Sequence, residues 1–361
     1  MKVLQTRRRP FLGLLSVLLL LLGAPVAGAK AADCDDVVDR RGYLNVLTLN
    51  LLLSEVALRE ERFQRISEFL REQAVAGDPV DLILLQEVVG GALVGTDNSA
   101  DDLRDVLTAV TGEDYELRTA FEAGLPGVLA TANAILSRCD IRFHFARFLP
   151  ATSEAIELGD LSIPISRNIM MVRVKVPGFG RLNVYNTHLC AGDCTVSELG
   201  DQAEAALGFV NDVERFFSFF RPRAHLLGGD FNQDNFRGGP GPDPDTGLGR
   251  FGPELFVYDD ITLGEDFEDA YAEALGLDLR DLCQDEAAAD EHCTVGVSTF
   301  DGSNARRIDY VFVRNFGPAV EGQVIFNSEV EGGTGPSVSD HAGVLVRVNL
   351  PGFAVAATAA E

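Results

Sequence analysis

Runs in which every residue, or every second residue, is apolar alternate along this chain with stretches whose apolar residues recur every three or four positions. The first rhythm marks strands, because successive side chains point to opposite faces; the second marks helices with one buried stripe. Residues 43–50 (YLNVLTLN) predict a strand. From Ser54 a helix is predicted, with Phe63, Ile66 and Leu70 on one stripe and charges between them. Residues 80–86 (VDLILLQ) form a continuous apolar run, as in a strand covered on both faces, and a helix follows around 101–111. Residues 132–137 and 141–148, split by Arg138-Cys139-Asp140, predict a strand pair. Residues 169–176 and 181–187 flank Pro177-Gly178-Phe179-Gly180 and predict a hairpin. Leu199, Ala203, Ala206, Val210, Val213, Phe217 and Phe220 then step by four and three, a helix whose stripe is core packing. The strand LLGG (226–229) follows, then a Gly/Pro-rich loop from Asn235, and late strands at 307–313, 322–327 and 343–348. With no internal repeat, this order predicts one large mixed-sheet α/β domain.

The N-terminus breaks the rhythm. Lys2 and Arg7 to Arg9 precede an apolar run from Phe11 to Leu22, and Ala27-Gly28-Ala29 supplies a small-residue cleavage signal. This predicts a secretory signal peptide over 1–29, by the general or the twin-arginine route. The apolar run is short for a membrane span of about 20 residues. A short segment (30–42), the domain (43–350) and a tail (351–361) follow, with no later membrane segment and a monomeric, secreted or periplasmic product expected. Six cysteines suit an oxidising compartment. Cys190 with Cys194 and Cys283 with Cys293 are close enough for local loops, which leaves Cys34 with Cys139.

Charge narrows the function. Lys+Arg number 30 and Asp+Glu 55, a formal charge of −25, and removing the signal peptide takes away four basic residues and no acidic ones. Such a chain does not hold nucleic acid by a general positive surface. A nuclease remains compatible, since a divalent metal brings its own positive charge.

Polar residues gather where apolar runs stop: Asn50; Gln86-Glu87; Asn186-Thr187-His188; Asp230 with Asn232; Asp309 within RIDYVFV; and Asp340-His341. A fold that brings strand ends to one rim would collect them into a single patch. Oxygen donors at this density suit Mg²⁺, with Mn²⁺ or Ca²⁺ as alternatives, better than zinc. The isolated His144, His225 and His292 are given no role.

The ordered set LTLN, LLQEV, NAILSR, YNTHL, GGDFN, RIDYVFV and SDH resembles the endonuclease/exonuclease/phosphatase superfamily, which includes deoxyribonuclease I and neutral sphingomyelinases. The resemblance spans roughly Tyr43 to Leu350 and implies two mixed β-sheets packed face to face with helices outside. It implies Glu87 as main metal ligand, with Asn50 and Asp340 nearby. His341 would be a general base or phosphate contact oriented by Asp309. Asp230 would orient or deprotonate water, and Asn232 would bond a phosphate oxygen. His188 would stabilise transition-state charge or act as acid, and Arg167 matches, loosely, a phosphate-binding arginine. The chain departs from its relatives at Asn168, where many carry glycine, and at Leu199-Gly200-Asp201-Gln202, which lacks an arginine several of them have.

The expected activity is metal-dependent phosphoester hydrolysis. The substrate stays open between nucleic acid, a phospholipid head group and a small phosphoester. The scarcity of lysine weighs against a nuclease, and no exposed aromatic hairpin is evident for a sphingomyelinase-like lipase. The remaining alternative is a catalytically inactive binding module on the same scaffold.

Overall fold

The structure is a computed structural model. It describes residues 34–35, 37–51, 59–158, 161–191, 194–217, 224–233, 257–276, 283, 291–295, 305–326 and 338–353. The predicted signal peptide, the Ser54 helix start, the Gly/Pro-rich loop from Asn235 and the tail beyond 353 lie outside the described residues.

In chain order the elements are β1 (Tyr43–Asn50), α1 (Arg59–Val75), β2 (Leu82–Gly90), α2 (Ser99–Thr111), β3 (Glu116–Leu125), β4 (Leu129–Ser137), β5 (Asp140–Phe148), β6 (Ala155–Leu158) and β7 (Leu161–Pro164). Then come β8 (Asn168–Val176), β9 (Gly180–His188), α3 (Val196–Phe216), β10 (Ala224–Asp230), β11 (Glu268–Asp269), α4 (Ala270–Leu275), β12 (Asp309–Arg314), β13 (Ala319–Ile325) and β14 (Gly343–Asn349). They build two mixed six-stranded sheets. The first has the order β13-β14-β1-β2-β4-β3 and the second β11-β12-β10-β9-β8-β5; β6 and β7 form a separate hairpin.

Each central strand is apolar on both faces because each face has a cover. Leu44, Val46, Leu82, Leu84 and Val346 of the first sheet meet Val172, Val174, Val184, Leu226 and Val311 of the second in a shared core. Outside the first sheet, Leu47, Leu49, Ile83 and Leu85 pack on Phe63, Ile66 and Leu70 of α1 and Leu103 and Leu107 of α2. Outside the second, Ile169, Met171, Tyr185, Leu227 and Phe312 pack with Leu199, Ala203, Ala206, Val210 and Val213 of α3 and with Phe217 just after it; Phe220 of the predicted stripe lies outside the described residues. Each fully buried side chain of this size contributes about 1.5–3 kcal/mol. A capping box at Thr195 and Glu198 starts α3, and an Asn98 cap with left-handed Gly112 brackets α2.

Buried amides tie the sheets together. Gln86 on β2 donates to Asn186 Oδ1 on β9 (2.7 Å), while Asn186 Nδ2 donates back to the carbonyls of Leu85 and Ala134 (2.9 Å each). Asn168 on β8 donates to the carbonyls of Ala120 and Phe121 on β3 and accepts from Asn133 on β4. The departure from glycine at position 168 thus supplies a cross-sheet link.

Two expectations need correction. The strands at 132–137 and 141–148 are not a pair: β4 lies between β2 and β3 in the first sheet, and β5 pairs with β8 at the edge of the second. The short link between them crosses from sheet to sheet. The strand read as ending at Gln86 runs on to Gly90 through a bulge between Leu85 and Val88, and Glu87 sits in that bulge at φ 54°. Strand β3 was not anticipated. The cysteine pairs are 34–139, 190–194 and 283–293, with Cα separations of 5.2, 6.1 and 5.8 Å.

Candidate active site

Strand register assembles the centre of the site. Asp230, the last residue of β10, is paired with His188 at the end of β9 on one side and Asp309 at the start of β12 on the other. Of the two glycines before Asp230, Gly229 is required by close approach of backbone and Gly228 sits tight against a side chain. A Cβ on Gly228 would lie 2.5 Å from Leu84 of the facing sheet, and one on Gly229, at φ 137°, would lie 1.9 Å from the Thr187 carbonyl.

The first sheet contributes from across the interface. Asn50 Nδ2, at the end of β1, donates to Asp230 Oδ2 (3.1 Å) and to Glu87 Oε1 (3.2 Å), joining a carboxylate of each sheet. His341 lies on the turn before β14, its Nδ1 2.9 Å from Asp309 Oδ2 and its Nε2 3.8 Å from Asp230 Oδ2. The Asn232 backbone N–H donates to Asp230 Oδ1 (2.9 Å) and its Nδ2 to the Leu189 carbonyl (2.9 Å); its φ of 50° turns the chain there.

His188 is buried, with Nε2 3.4 Å from Asp230 Oδ2 and Nδ1 2.7 Å from Arg167 Nη1. Arg167 is buried too: it forms a two-pronged ion pair with Glu154 and lies 3.8 Å from Glu122 Oε2. Asp340 is exposed, and its carboxylate accepts from Ser339 Oγ (3.3 Å). The structure therefore brings Asn50, Glu87, His188, Asp230, Asn232, Asp309 and His341 together. Arg167 stands behind His188, and Asp340 faces solvent beside His341.

Burial and neighbouring charge set the electrostatics. Burial, then the Asp309 charge, pushes Asp230 up to about 7 against the pull of His341 and of the bonds from Asn232 and Asn50. Burial would lower His341, but Asp309 and Asp230 outweigh it and carry the imidazole to about 10. His188 is held well below its ordinary value by burial and then by Arg167 and His341. The two imidazoles are thus driven apart, one cationic and one neutral. Glu122, pushed up to about 8 by burial against the attraction of Arg167, lies beside Arg167.

A hard divalent cation fits the oxygen donors Asn50 and Glu87, which the Nδ2–Oε1 bond holds side by side. Asp230, Asp309 and His341 cluster beside them with polar atoms within 4.8 Å of one another, and among the described residues the buried Asp309 Oδ1 has no hydrogen-bond partner. Sequence reasoning missed Glu122 and Glu154 and gave no role to Asn133, the first residue of NAILSR, whose Nδ2 donates to Glu122 Oε1 (2.9 Å). Glu122 and Glu154 stand among ordinary polar residues; only a buried strand position sets Glu122 apart.

The sequence model of the Endonuclease/Exonuclease/phosphatase family matches residues 47–341. Among solved structures, an endonuclease/exonuclease/phosphatase family protein from Leptotrichia buccalis C-1013-b is similar at 20% identity and a TM-score of 0.56, over 84% of this chain and 99% of that one. An endonuclease/exonuclease/phosphatase from Beutenbergia cavernae DSM 12333 is similar at 22% identity and 0.58, over 86% and 72%. The D. rerio TDP2 structure, complexed with single strand DNA product, is similar at 16% and 0.50, over 85% and 99%. At these identities the likeness is one of fold. No curated protein matches the sequence.

Proposed function

The chain belongs to the endonuclease/exonuclease/phosphatase family, and we propose that within it this protein is an exported, divalent-metal-dependent phosphodiesterase that attacks phosphorus with water. Members of the family are mostly metal-dependent phosphoester hydrolases. The observation that carries the reading is the row His188, Asp230 and Asp309 across three adjacent strands, completed by His341 and joined through Asn50 to Glu87.

Asn50 and Glu87, with Asp340, are the residues that would hold the cation, Mg²⁺ in the first instance. When bound it supplies Lewis-acid stabilisation of charge on the phosphoryl oxygens. Asp230 orients the attacking water and takes up its proton, a role suited to a carboxyl raised to about 7. Asp309 accepts from His341 Nδ1 and turns Nε2 toward Asp230, so that the imidazolium meets negative charge on the phosphoryl group. Asn232 is held by its bond to Leu189, with its amide at the same rim to contact a phosphate oxygen. His188 stabilises charge on the other side of Asp230.

Export is supported by the N-terminal sequence and by the three disulfides, which leave no free cysteine among the described residues. No helix among the described residues is long and apolar enough to cross a membrane. The substrate class is tested with plasmid DNA, RNA, sphingomyelin and bis-p-nitrophenyl phosphate, each with Mg²⁺ and with chelator. Hydrolysis that chelator abolishes is expected; nicking of plasmid alone identifies a nuclease, and release of choline phosphate alone a phospholipase. Inertness toward all four with Mg²⁺, Mn²⁺ or Ca²⁺ present would reject the hydrolase reading.

A further inference from the structure

The contact between Arg167 and His188 fixes a proton. A guanidinium carries five N–H donors and no acceptor. With Nη1 2.7 Å from His188 Nδ1, that nitrogen has to present its lone pair. The ring proton then sits on Nε2, the atom 3.4 Å from Asp230 Oδ2. Turning the ring over would put a carbon opposite Arg167 and another opposite Asp230, and both contacts would be lost. Protonating Nδ1 would set N–H against N–H in a buried space.

Arg167 is held for this task by its neighbours. Glu154 takes Nε and Nη2 with its two oxygens, which leaves Nη1 aimed at the imidazole, while Glu122 lies 3.8 Å away from Nη1. Asn133 in turn bonds Glu122. An arginine whose only task was to pair with Glu154 would not need its third nitrogen against an imidazole. One meant to grip phosphate would not be buried with its fork occupied.

We propose that Arg167 is a positioning residue that locks His188 as the neutral tautomer with its proton on Nε2, so that His188 acts on the phosphoester as a neutral hydrogen-bond donor and takes no part in proton transfer. Its catalytic half rests on the hydrolase reading above; the tautomer itself does not. The depressed proton affinity of His188, caused by burial first and Arg167 second, agrees with it. The loose likeness to a phosphate-binding arginine gives way to a role one residue removed from substrate.

The test is NMR on the full protein labelled with ¹⁵N at histidine, with the His188 ring assigned by its loss in His188→Gln. An unprotonated Nδ1 and a protonated Nε2 are expected, unchanged from about pH 5 to about pH 8, the range in which an ordinary histidine titrates. Arg167→Met should release the ring into a mixture of tautomers that titrates, and Arg167→Lys, which keeps a donor, should restore the pattern. Where hydrolysis is measurable, Arg167→Met should lower kcat on the order of 10²-fold with little change in KM. A protonated Nδ1 in the wild-type protein overturns the proposal even if Arg167→Met does not fold. So does an unaltered His188 spectrum in a folded Arg167→Met, or a loss confined to KM, which a direct phosphate contact would give. A chain that hydrolyses nothing yet shows the expected tautomer would reject the hydrolase reading and leave the Arg167 lock standing.

Discussion

Replacing Asp309 with asparagine keeps the shape of a fully buried side chain and removes its charge. Two consequences follow in opposite directions. The bond from His341 Nδ1 to Asp309 Oδ2, 2.9 Å long, loses its ionic character. A hydrogen bond to a charged group is worth roughly 1.5–3 kcal/mol. If that energy is realised while charge develops on phosphorus, kcat/KM falls about 10- to 150-fold, at about 1.4 kcal/mol per decade. Meanwhile Asp230 loses the neighbouring charge that, after burial, does most to raise it above its ordinary value. It ionises at lower pH, so the acid limb of the rate profile should move to lower pH. Folding at pH 8 loses the ion pair from Asp309 to His341 but is also relieved of two neighbouring carboxylates, so the melting temperature should change little. The assay pairs initial rates on bis-p-nitrophenyl phosphate across a pH series with thermal unfolding of the same samples. A variant with unaltered kcat/KM and an unmoved acid limb would refute the coupling of Asp309 to His341 and Asp230. A variant that loses activity and stability together would show a structural role instead.

Glu87→Ala should abolish Mg²⁺-dependent hydrolysis while circular dichroism stays native, and a variant as active as wild type would dismiss Glu87 as the main metal ligand. Glu122 is raised from an ordinary 4.5 to about 8, so the unfolded chain gives up its proton first. Stability tied to the neutral form is complete below about 4.5 and drains away as pH rises to about 8, by a few kcal/mol. Glu122→Gln should flatten that part of the stability–pH curve in urea titrations, and an unchanged slope would mean that Glu122 is ionised in the folded protein. Joint substitution of Cys34 and Cys139 by serine opens a loop with a sequence separation of 105, for which chain entropy gives about 4–5 kcal/mol. A urea midpoint equal to that of the wild type would show that this bridge does not stabilise the fold.

The sequence displayed the site more clearly than the scaffold around it. His188, Asp230, Asp309 and His341 each end or begin an apolar run, and a polar residue there is conspicuous against its neighbours. The strands of the inner layers were legible because both faces are buried. Strand β3 was not, since its inner residues Ala120 and Glu122 alternate with partly exposed ones and include a charge. The link from β4 to β5 resembled a hairpin because length alone cannot tell a turn within a sheet from a step between sheets. Glu87 looked like a strand terminus, whereas a bulge turns it aside in mid-strand. Arg167 was singled out from sequence, but its partners Glu122 and Glu154 are set by tertiary packing. Without them the role proposed for it, fixing the His188 ring, could not be read.

The candidate site residues are divided between two layers that are stitched by Gln86, Asn186 and Asn168 but share no strand. A sideways slip of one layer by a single ångström would separate Asn50 from Asp230 and His341 from Asp309 while leaving every strand in its own ladder. On the proposed hydrolase reading, mild heat or denaturant should silence turnover before the far-ultraviolet signal changes, making the protein a gauge of shear between its halves.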